Sequence, residues 1–578
     1  MACTGLLVAL SLPARADIFV QGGNLNFYLN DGGTYVGYPA SGELLISNSS
    51  TPPTGYTAFE SGSIYSTSDN AFLGYGNGVA GTVTVTGSGA EWSVAGDTYL
   101  GYEGTSTGNL VISNGGAYSS SNGFIETSFS SGSTSSISVD GSGSTMNVGS
   151  IVLGNAGNAS MSITNGGHVT IGENFLGVAF GEGTQTGSLT VSGAGSTLTF
   201  TVPVGNTNAY GVNMGGTNSS VQVIDGGVIN SNSDVLYSTP GSRTTALISG
   251  TGSLWSETGA VNVMSVGSTG YSTLIVADGG ELQSNFVELA NSGGAGNTGI
   301  LQVGNGAAPG ILDINSVVGG FEGSGTAIVE FDHNSTDYQF ANPAGTGIAI
   351  EGTTQVQVVS GTTVFTSTGN TYTGGTQITG GTLVVDSGTG SGNVTVGAGG
   401  TLAGTGTIAP SGTHAVSISG NLSPGNTASG GTPGTLKFDL SAGTKLTFNA
   451  GSTLTLNLVG GGTSDEVSFT STAAAGTEWL AGAGNLTLVL NLSGTDPYGQ
   501  TYDIFNNAIG NSTTGQFTLA GITGYNSSQY QAVFSQSGDN YDLSFIPVSA
   551  PEPSTWLLLS LGSLMLVWRL RTRRDSGK

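Results

Sequence analysis

The side chains able to do chemistry in this chain are mainly carboxylates and three imidazoles, and their spacing sets what they can do. Glu322, Glu330 and Asp332 stand near Asp337, and Asp465 adjoins Glu466. A glycosidase needs two opposed carboxylates, one to protonate the leaving oxygen and one to act as base or nucleophile. Neighbouring acids in so acidic a chain read instead as solvated loop charges. His168, His333 and His414 are isolated from one another. His168 follows a Gly-Gly turn and is expected to face solvent from a strand. No His-Glu-x-x-His, phosphate-binding loop or nucleophile elbow occurs. A lyase acting on uronates would need clustered cations, whereas residues 17–550 offer Arg243, Lys437 and Lys445 alone. Asp140, Asp225 and Asp278 flank glycine turns without the Gly-Gly-x-Gly-x-Asp calcium nonapeptide, so they read as turn formers that accept backbone hydrogen bonds. Weakly bound calcium is the one cofactor this pattern admits. No catalytic, cofactor-binding or metal-binding residue is assigned, and the chain is expected not to be an enzyme.

The elements that must hold these residues follow a short repeat, complete at residues 85–118. A Gly-x-Gly turn leading to a bulky residue recurs at Gly87, Gly141, Gly193 and Gly250, followed by Trp92, Met146, Leu198 and Trp255. An alternating strand closed by Asn/Asp-Gly-Gly recurs with apolar pairs two apart: Leu110 and Ile112, Met161 and Ile163, Val221 and Val223, Leu274 and Val276. That period belongs to a strand with one buried face, and Asn/Asp-Gly supplies the positive φ of a tight turn. A third piece, a hydrophobic residue followed by Gly, appears at Leu73, Leu100, Leu153, Leu176, Met214 and Val266. Units of roughly 25 residues cannot bury an apolar face alone and must stack on one another. The expected fold is all-β: a β-solenoid, specifically a right-handed β-helix, with a C-terminal β cap and a single C-terminal hydrophobic helix.

Composition agrees. Of 578 residues 102 are Gly and 8% are charged, yet Val, Ile and Leu recur at regular spacing, which disordered chains lack. Between residues 17 and 550 three cations face 33 carboxylates, counting all 35 less Glu552 and Asp575. Such a surface repels phosphate backbones, so nucleic acid is excluded as a partner. Tyr99, Tyr102, Tyr118, Tyr237 and Tyr271 recur near coil turns. They can stack on sugars, which keeps a non-catalytic carbohydrate-binding surface protein as an alternative, but packing between coils is the expectation. β-Helices also carry lyases and hydrolases, so a polysaccharide lyase or glycoside hydrolase stands as the other alternative.

Residues 1–16 end in Ala14-Arg15-Ala16 after the apolar run 6–12, a secretory signal with cleavage at Ala14 and Ala16 that removes Cys3, the sole cysteine. No cation precedes that run, so the true start is expected upstream. At the other end Pro551, Glu552 and Pro553 precede an apolar stretch containing Trp556, Leu557, Leu558, Leu559, Leu564, Val567 and Trp568. Arg569, Arg571, Arg573 and Arg574 follow. Apolar residues between terminal Trp and a basic stop suggest a membrane helix over 555–570 with its positive end cytoplasmic. A one-helix tail cannot supply the barrel of autotransporter secretion.

This constellation resembles the PEP-CTERM sorting signal. The resemblance implies recognition at Pro551, Glu552 and Pro553 by an exosortase-type membrane protease in a Gram-negative bacterium that makes exopolysaccharide. It further implies transient inner-membrane tethering through the apolar stretch, retention by the Arg cluster, and delivery to the cell surface or extracellular matrix. A permanent C-terminal anchor is the plainer alternative. Farther upstream, residues 370–387 (NTYTGGTQITGGTLVVDS) resemble the autotransporter-associated β-strand repeat, as do residues 399–408 and 419–426. The organisation expected is a signal peptide at 1–16, an N-terminal cap with early coils at 17–80, β-helix repeats at 81–436, a C-terminal β cap at 437–547 and the sorting signal at 551–574. The function expected is that of a structural or adhesive surface protein associated with exopolysaccharide.

Overall fold

A computed structural model of the chain describes residues 17–22, 26–27, 34–37, 41–47, 57–61, 64–172, 176–179, 185–201, 211–257, 262–292, 294–320, 325–425, 432–440, 444–469, 485–493, 498–506, 518–538, 540–548 and 555–575. Cys3, Ala14, Ala16, Glu322, Pro551, Glu552 and Pro553, named above, lie outside the described residues.

The two-residue alternation forms strands with one buried face. In Ala80–Thr86, Val83 and Val85 are fully buried while Thr82, Thr84 and Thr86 remain partly exposed. Each such strand lies parallel and in register on that of the preceding coil. Leu110 sits between Val83 and Ile137, and Ile112 between Val85 and Val139, a spacing of 27 residues. This ladder is the spine of the molecule. It is an 18-stranded sheet, all of it one parallel stack from Gly42–Ser47 to Leu446–Phe448 except Asp17–Gly22 and Thr57–Ser61. A 21-stranded sheet carries two more ladders side by side, joined where Ala117–Thr127 and Thr145–Leu153 run through both. Three short faces per coil thus enclose stacked Val, Leu and Ile, each worth about 1.5–3 kcal/mol when fully buried. The chain is a β-solenoid.

The two turn types read from the sequence occupy the same corner in alternate coils. Trp92 stacks on Tyr118, and Tyr118 on Met146, so the Gly-x-Gly corner at Gly87 is followed by the Asn-Gly-Gly corner at Asn114 and then by Gly141. The sequence repeat is therefore two coils long. Asn114 and Gly115 take φ of 51° and 85°, the pair of left-handed conformations that reverses the chain in two residues. The following Gly116 is required for a different reason: a Cβ there would lie 2.4 Å from the Val85 carbonyl oxygen of the coil beneath.

The cross-section changes near residue 331. Polar letters dominate residues 331–342, yet Phe331 and Asp332 end the spine strand Thr326–Asp332, and Phe331, His333 and Phe340 are buried. The reason is a new face: Tyr338–Gln339 starts a nine-stranded sheet that runs parallel through Thr362–Phe365 and Thr382–Val385 to Thr518–Thr523. Coils here are shorter, with Ile378 stacked between Val358 and Val396. A six-stranded sheet forms the remaining side. Parallel stacking passes through residue 437 without interruption, since Thr435–Phe438 pairs parallel with Glu466–Phe469. Antiparallel pairing closes both ends, with Asp17–Gly22 against Gly42–Ser47 and the hairpin Tyr530–Ser537/Asn540–Pro547 against Thr501–Asn506.

Candidate functional site

The carboxylates singled out by sequence are not brought into one place. Glu330 and Asp332 lie on one strand two residues apart, both partly exposed, and are strand residues rather than loop charges. Burial, then the neighbouring Asp332, raises the Glu330 carboxyl above its usual range. Asp332 Oδ1 accepts a hydrogen bond from Ser360 Oγ at 2.8 Å. Asp465, read as solvated, is fully buried: Oδ1 accepts from the Gly434 backbone N at 2.9 Å and Oδ2 from the Asn457 backbone N and Nδ2 at 2.8 and 2.7 Å. It staples three segments, which is why a charge can sit there. Burial pushes its carboxyl up while those bonds pull it down. His168 is exposed at a strand start, its Nδ1 2.8 Å from Thr197 Oγ1, and His414 Nδ1 is 3.0 Å from the Ser391 carbonyl oxygen. His333 is buried against Tyr338, and burial lowers its imidazole below the usual value despite Asp332 nearby. Asp140 accepts from Thr164 Oγ1 at 2.6 Å and from Asn165 Nδ2 at 2.7 Å. Asp225 and Asp278 take positive φ and accept from Ser192 and Ser249, each at 3.2 Å. Asp225 and Asp278 are turn residues, whereas Asp140 ends the strand Thr134–Asp140, and all three accept from side chains of neighbouring coils rather than from the backbone. Among the described residues no group of three or more His, Cys, Asp or Glu is placed to hold a metal ion.

One constellation escaped the sequence reading. Asp234 and Glu257 are buried together in the core beside Trp255. Asp234 Oδ1 accepts from the Val212 backbone N at 2.5 Å, and Oδ2 accepts from Ser231 Oγ at 2.5 Å and from Trp255 Nε1 at 2.9 Å. Glu257 Oε1 accepts from the Asp234 backbone N at 3.0 Å, and Ser284 Oγ donates to Oε2. Burial, and then the adjacent Asp234, hold the Glu257 carboxyl well above its usual range; burial also raises Asp234. Two buried anions side by side repel, and the shift is the larger at Glu257. The signal was present: Trp255 and Glu257 are two apart in one strand and so share its inward face.

At the far end the helix Thr555–Asp575 contains Trp556, Leu557, Leu558, Leu559, Leu564, Val567, Trp568 and all four arginines. The expectation of a membrane-spanning helix over 555–570 is overturned: among the described residues no helix is long and apolar enough to cross a membrane. The apolar stretch 556–568 rises about 20 Å at 1.5 Å per residue, against a hydrocarbon core of about 30 Å. Ser560, Gly562 and Ser563 interrupt it, and the helix continues straight into the arginines. Its apolar side chains are not spent on packing: Leu561, Leu564, Met565, Leu566, Val567, Trp568 and Leu570 are 55–72% exposed. An exposed apolar helix ending in cations, set apart from the stacked core, is an address element rather than part of the fold. Residues 549–574 match the PEP-CTERM protein-sorting motif. A comparison with curated proteins found no match. The PEP-CTERM motif implies export, processing by an exosortase membrane protease, and delivery to the surface or exterior of a Gram-negative bacterium.

The surface upstream of the PEP-CTERM motif bears on the carbohydrate reading. Tyr99 and Tyr102 belong to two adjoining ladders: Tyr35, Phe72 and Tyr99 stack at 4.8 and 5.1 Å, and Tyr75, Tyr102 and Phe129 at 5.3 and 4.8 Å. Rings stacked on one another cover the faces a sugar would use. Tyr118 is buried, its hydroxyl 2.7 Å from Thr98 Oγ1, and Tyr271 lies under the Arg243 guanidinium at 4.1 Å. Tyr237 is partly buried, which raises its hydroxyl pKa.

Proposed function

We propose that the mature protein is a non-enzymatic structural or adhesive element of the cell surface or extracellular matrix, associated with exopolysaccharide. The observation that carries this reading is the joining of a long solenoid, whose interior is filled with side chains, to a PEP-CTERM motif. The buried acid Glu257 bonds to its own scaffold, and among the described residues the acids that the sequence singled out are not gathered into one site. Pro551, Glu552 and Pro553 serve as the recognition residues. The exposed helix tethers the chain by resting its apolar side chains in the interface of the inner membrane, with Arg569, Arg571, Arg573 and Arg574 at the headgroups of that same interface, until processing releases the rod.

Mass spectrometry of surface material tests the maturation: a new C-terminus near residues 551–553 is expected, and an intact Lys578 there overturns it. Incubation with the producing bacterium's exopolysaccharide tests the activity. Capture without new reducing ends supports the reading, whereas reducing-end release makes the protein a hydrolase or lyase.

A further inference from the structure

Beside the nine-stranded sheet lies a groove of about 640 Å³. Its floor is built from side chains that a solenoid would ordinarily make polar. Val364 and Val384 line it from successive coils, facing away from the main core, and with Ala403, which does not reach the groove, form a small separate cluster with exposures of 6, 8 and 0%. The neighbouring outward row is Thr362, Thr382 and Thr401. The rim is polar. Asp337 and Gln339 stand on one side, with Thr362 beside the floor and Asp386 on the coil above. Asp337 Oδ1 accepts from Gln339 Nε2 at 2.6 Å, and Asp386 Oδ1 accepts from the Thr405 backbone N and Oγ1, each at 3.2 Å. These bonds use one oxygen of each carboxylate and leave Oδ2 of both to a ligand. No Lys, Arg or His lines the groove among the described residues.

We propose that this groove binds a polysaccharide strand whose sugars carry a protonated amine, a 2-amino-2-deoxyhexose polymer. The inference rests on the exopolysaccharide reading above and names the sugar class and the place. A pyranose offers an apolar C–H face to Val364 and Val384, and a polar edge to Thr362 and Gln339. Charge selects among pyranoses. Two carboxylates without a cation repel uronates, accept hydroxyl hydrogen bonds from neutral sugars, and add to such bonds the Coulomb attraction of an ammonium where the sugar carries one. The surrounding surface, with 33 carboxylates against three cations between residues 17 and 550, draws in the same sign of partner.

Titration calorimetry of the full chain with a glucosamine pentamer is the test, alongside its N-acetylated counterpart, cellopentaose and pentagalacturonate. The glucosamine oligomer is expected to bind at least about tenfold more tightly than the others, with affinity falling as salt rises. Asp337→Asn lies on the exposed rim and leaves the fold intact, so it should remove about tenfold of that affinity with an unchanged melting temperature. Val384→Glu should abolish binding; should it unfold the coil, Asp337→Asn still decides. Three results overturn the groove while leaving the broader reading in place. These are capture of the chain by exopolysaccharide with no glucosamine binding, equal affinity for pentalysine and the glucosamine oligomer, and an unaffected Asp337→Asn. Failure of exopolysaccharide to capture the wild-type chain removes the broader reading and the groove together.

Discussion

Where one coil passes over the next, a single atom decides whether they can touch. An alanine Cβ at Gly116 would sit 2.4 Å from the Val85 oxygen, with the Val85 carbonyl carbon at 2.8 Å and no flexible side chain to yield. Gly116→Ala should therefore destabilise by about 1–3 kcal/mol as an overpacked contact, read as a shift in urea midpoint. Gly89 provides the control: it has φ of +83° but nothing within 4 Å, so Gly89→Ala carries backbone strain alone, about 1–2 kcal/mol. Equal and negligible shifts would mean that the two coils do not meet at this corner. The buried acids make a pH prediction. The folded-state Glu257 carboxyl is raised, so its contribution to stability is complete below the unfolded pKa of about 4.3 and is lost as pH rises through the raised folded value. The Val212 backbone N, Ser231, Trp255 and Ser284 face the Asp234–Glu257 pair, and no cation among them relieves it. Glu257→Gln keeps the hydrogen bonds of the protonated acid, so wild-type stability relative to it should decline from pH 4 to pH 8. A flat difference would show Glu257 ionised in the fold.

Among elements, the spine strands and their corners were legible from residues alone. Val83 and Ile137 alternate with polar neighbours, and Asn-Gly-Gly needs the φ that Asn114 and Gly115 adopt. The closing pieces were less legible, because antiparallel and parallel strands share one alternation and nothing in Tyr530–Ser537 announces its partner. The structure gives that hairpin its purpose. Asn540–Pro547 pairs with Thr501–Asn506 along an edge that would otherwise face solvent with unpaired backbone groups. Removing residues 530–578 should leave the coils intact by circular dichroism and make the protein associate with rising concentration in light scattering. A truncated chain that stays monomeric would mean another segment shields that edge. Residues 331–342 are hard to read for a related reason: polar letters dominate, yet Phe331, His333 and Phe340 turn inward because a new sheet begins there. The groove stayed hidden too, since outward Val364 and Val384 look like ordinary strand valines until the register shows which way they face.

For the molecule as a whole, 16 of the 18 spine strands stack in parallel, which at about 4.8 Å each makes a column about 70 Å long before the C-terminal coils are added. A compact globule of this length would have a radius of gyration near 25 Å and a diameter near 65 Å, so a longer maximum dimension in X-ray scattering is expected. A sharper test uses the two-coil period. Deleting residues 84–137 joins Val83 to Ser138, keeps Val83 and Val139 on the inward face, and brings a Gly-x-Gly corner where one stood before. The shortened chain should unfold cooperatively and lose about 10 Å of length. Deleting residues 84–136 removes one residue fewer, yet it turns Ile137 and Val139 outward and Ser138 inward, since a one-residue slip reverses every side chain of a strand. That variant should fail to fold or should expose apolar surface to a hydrophobic dye. If both deletions behave alike, inward packing does not set the register of the stack, and the coils must be held by their backbone ladders alone.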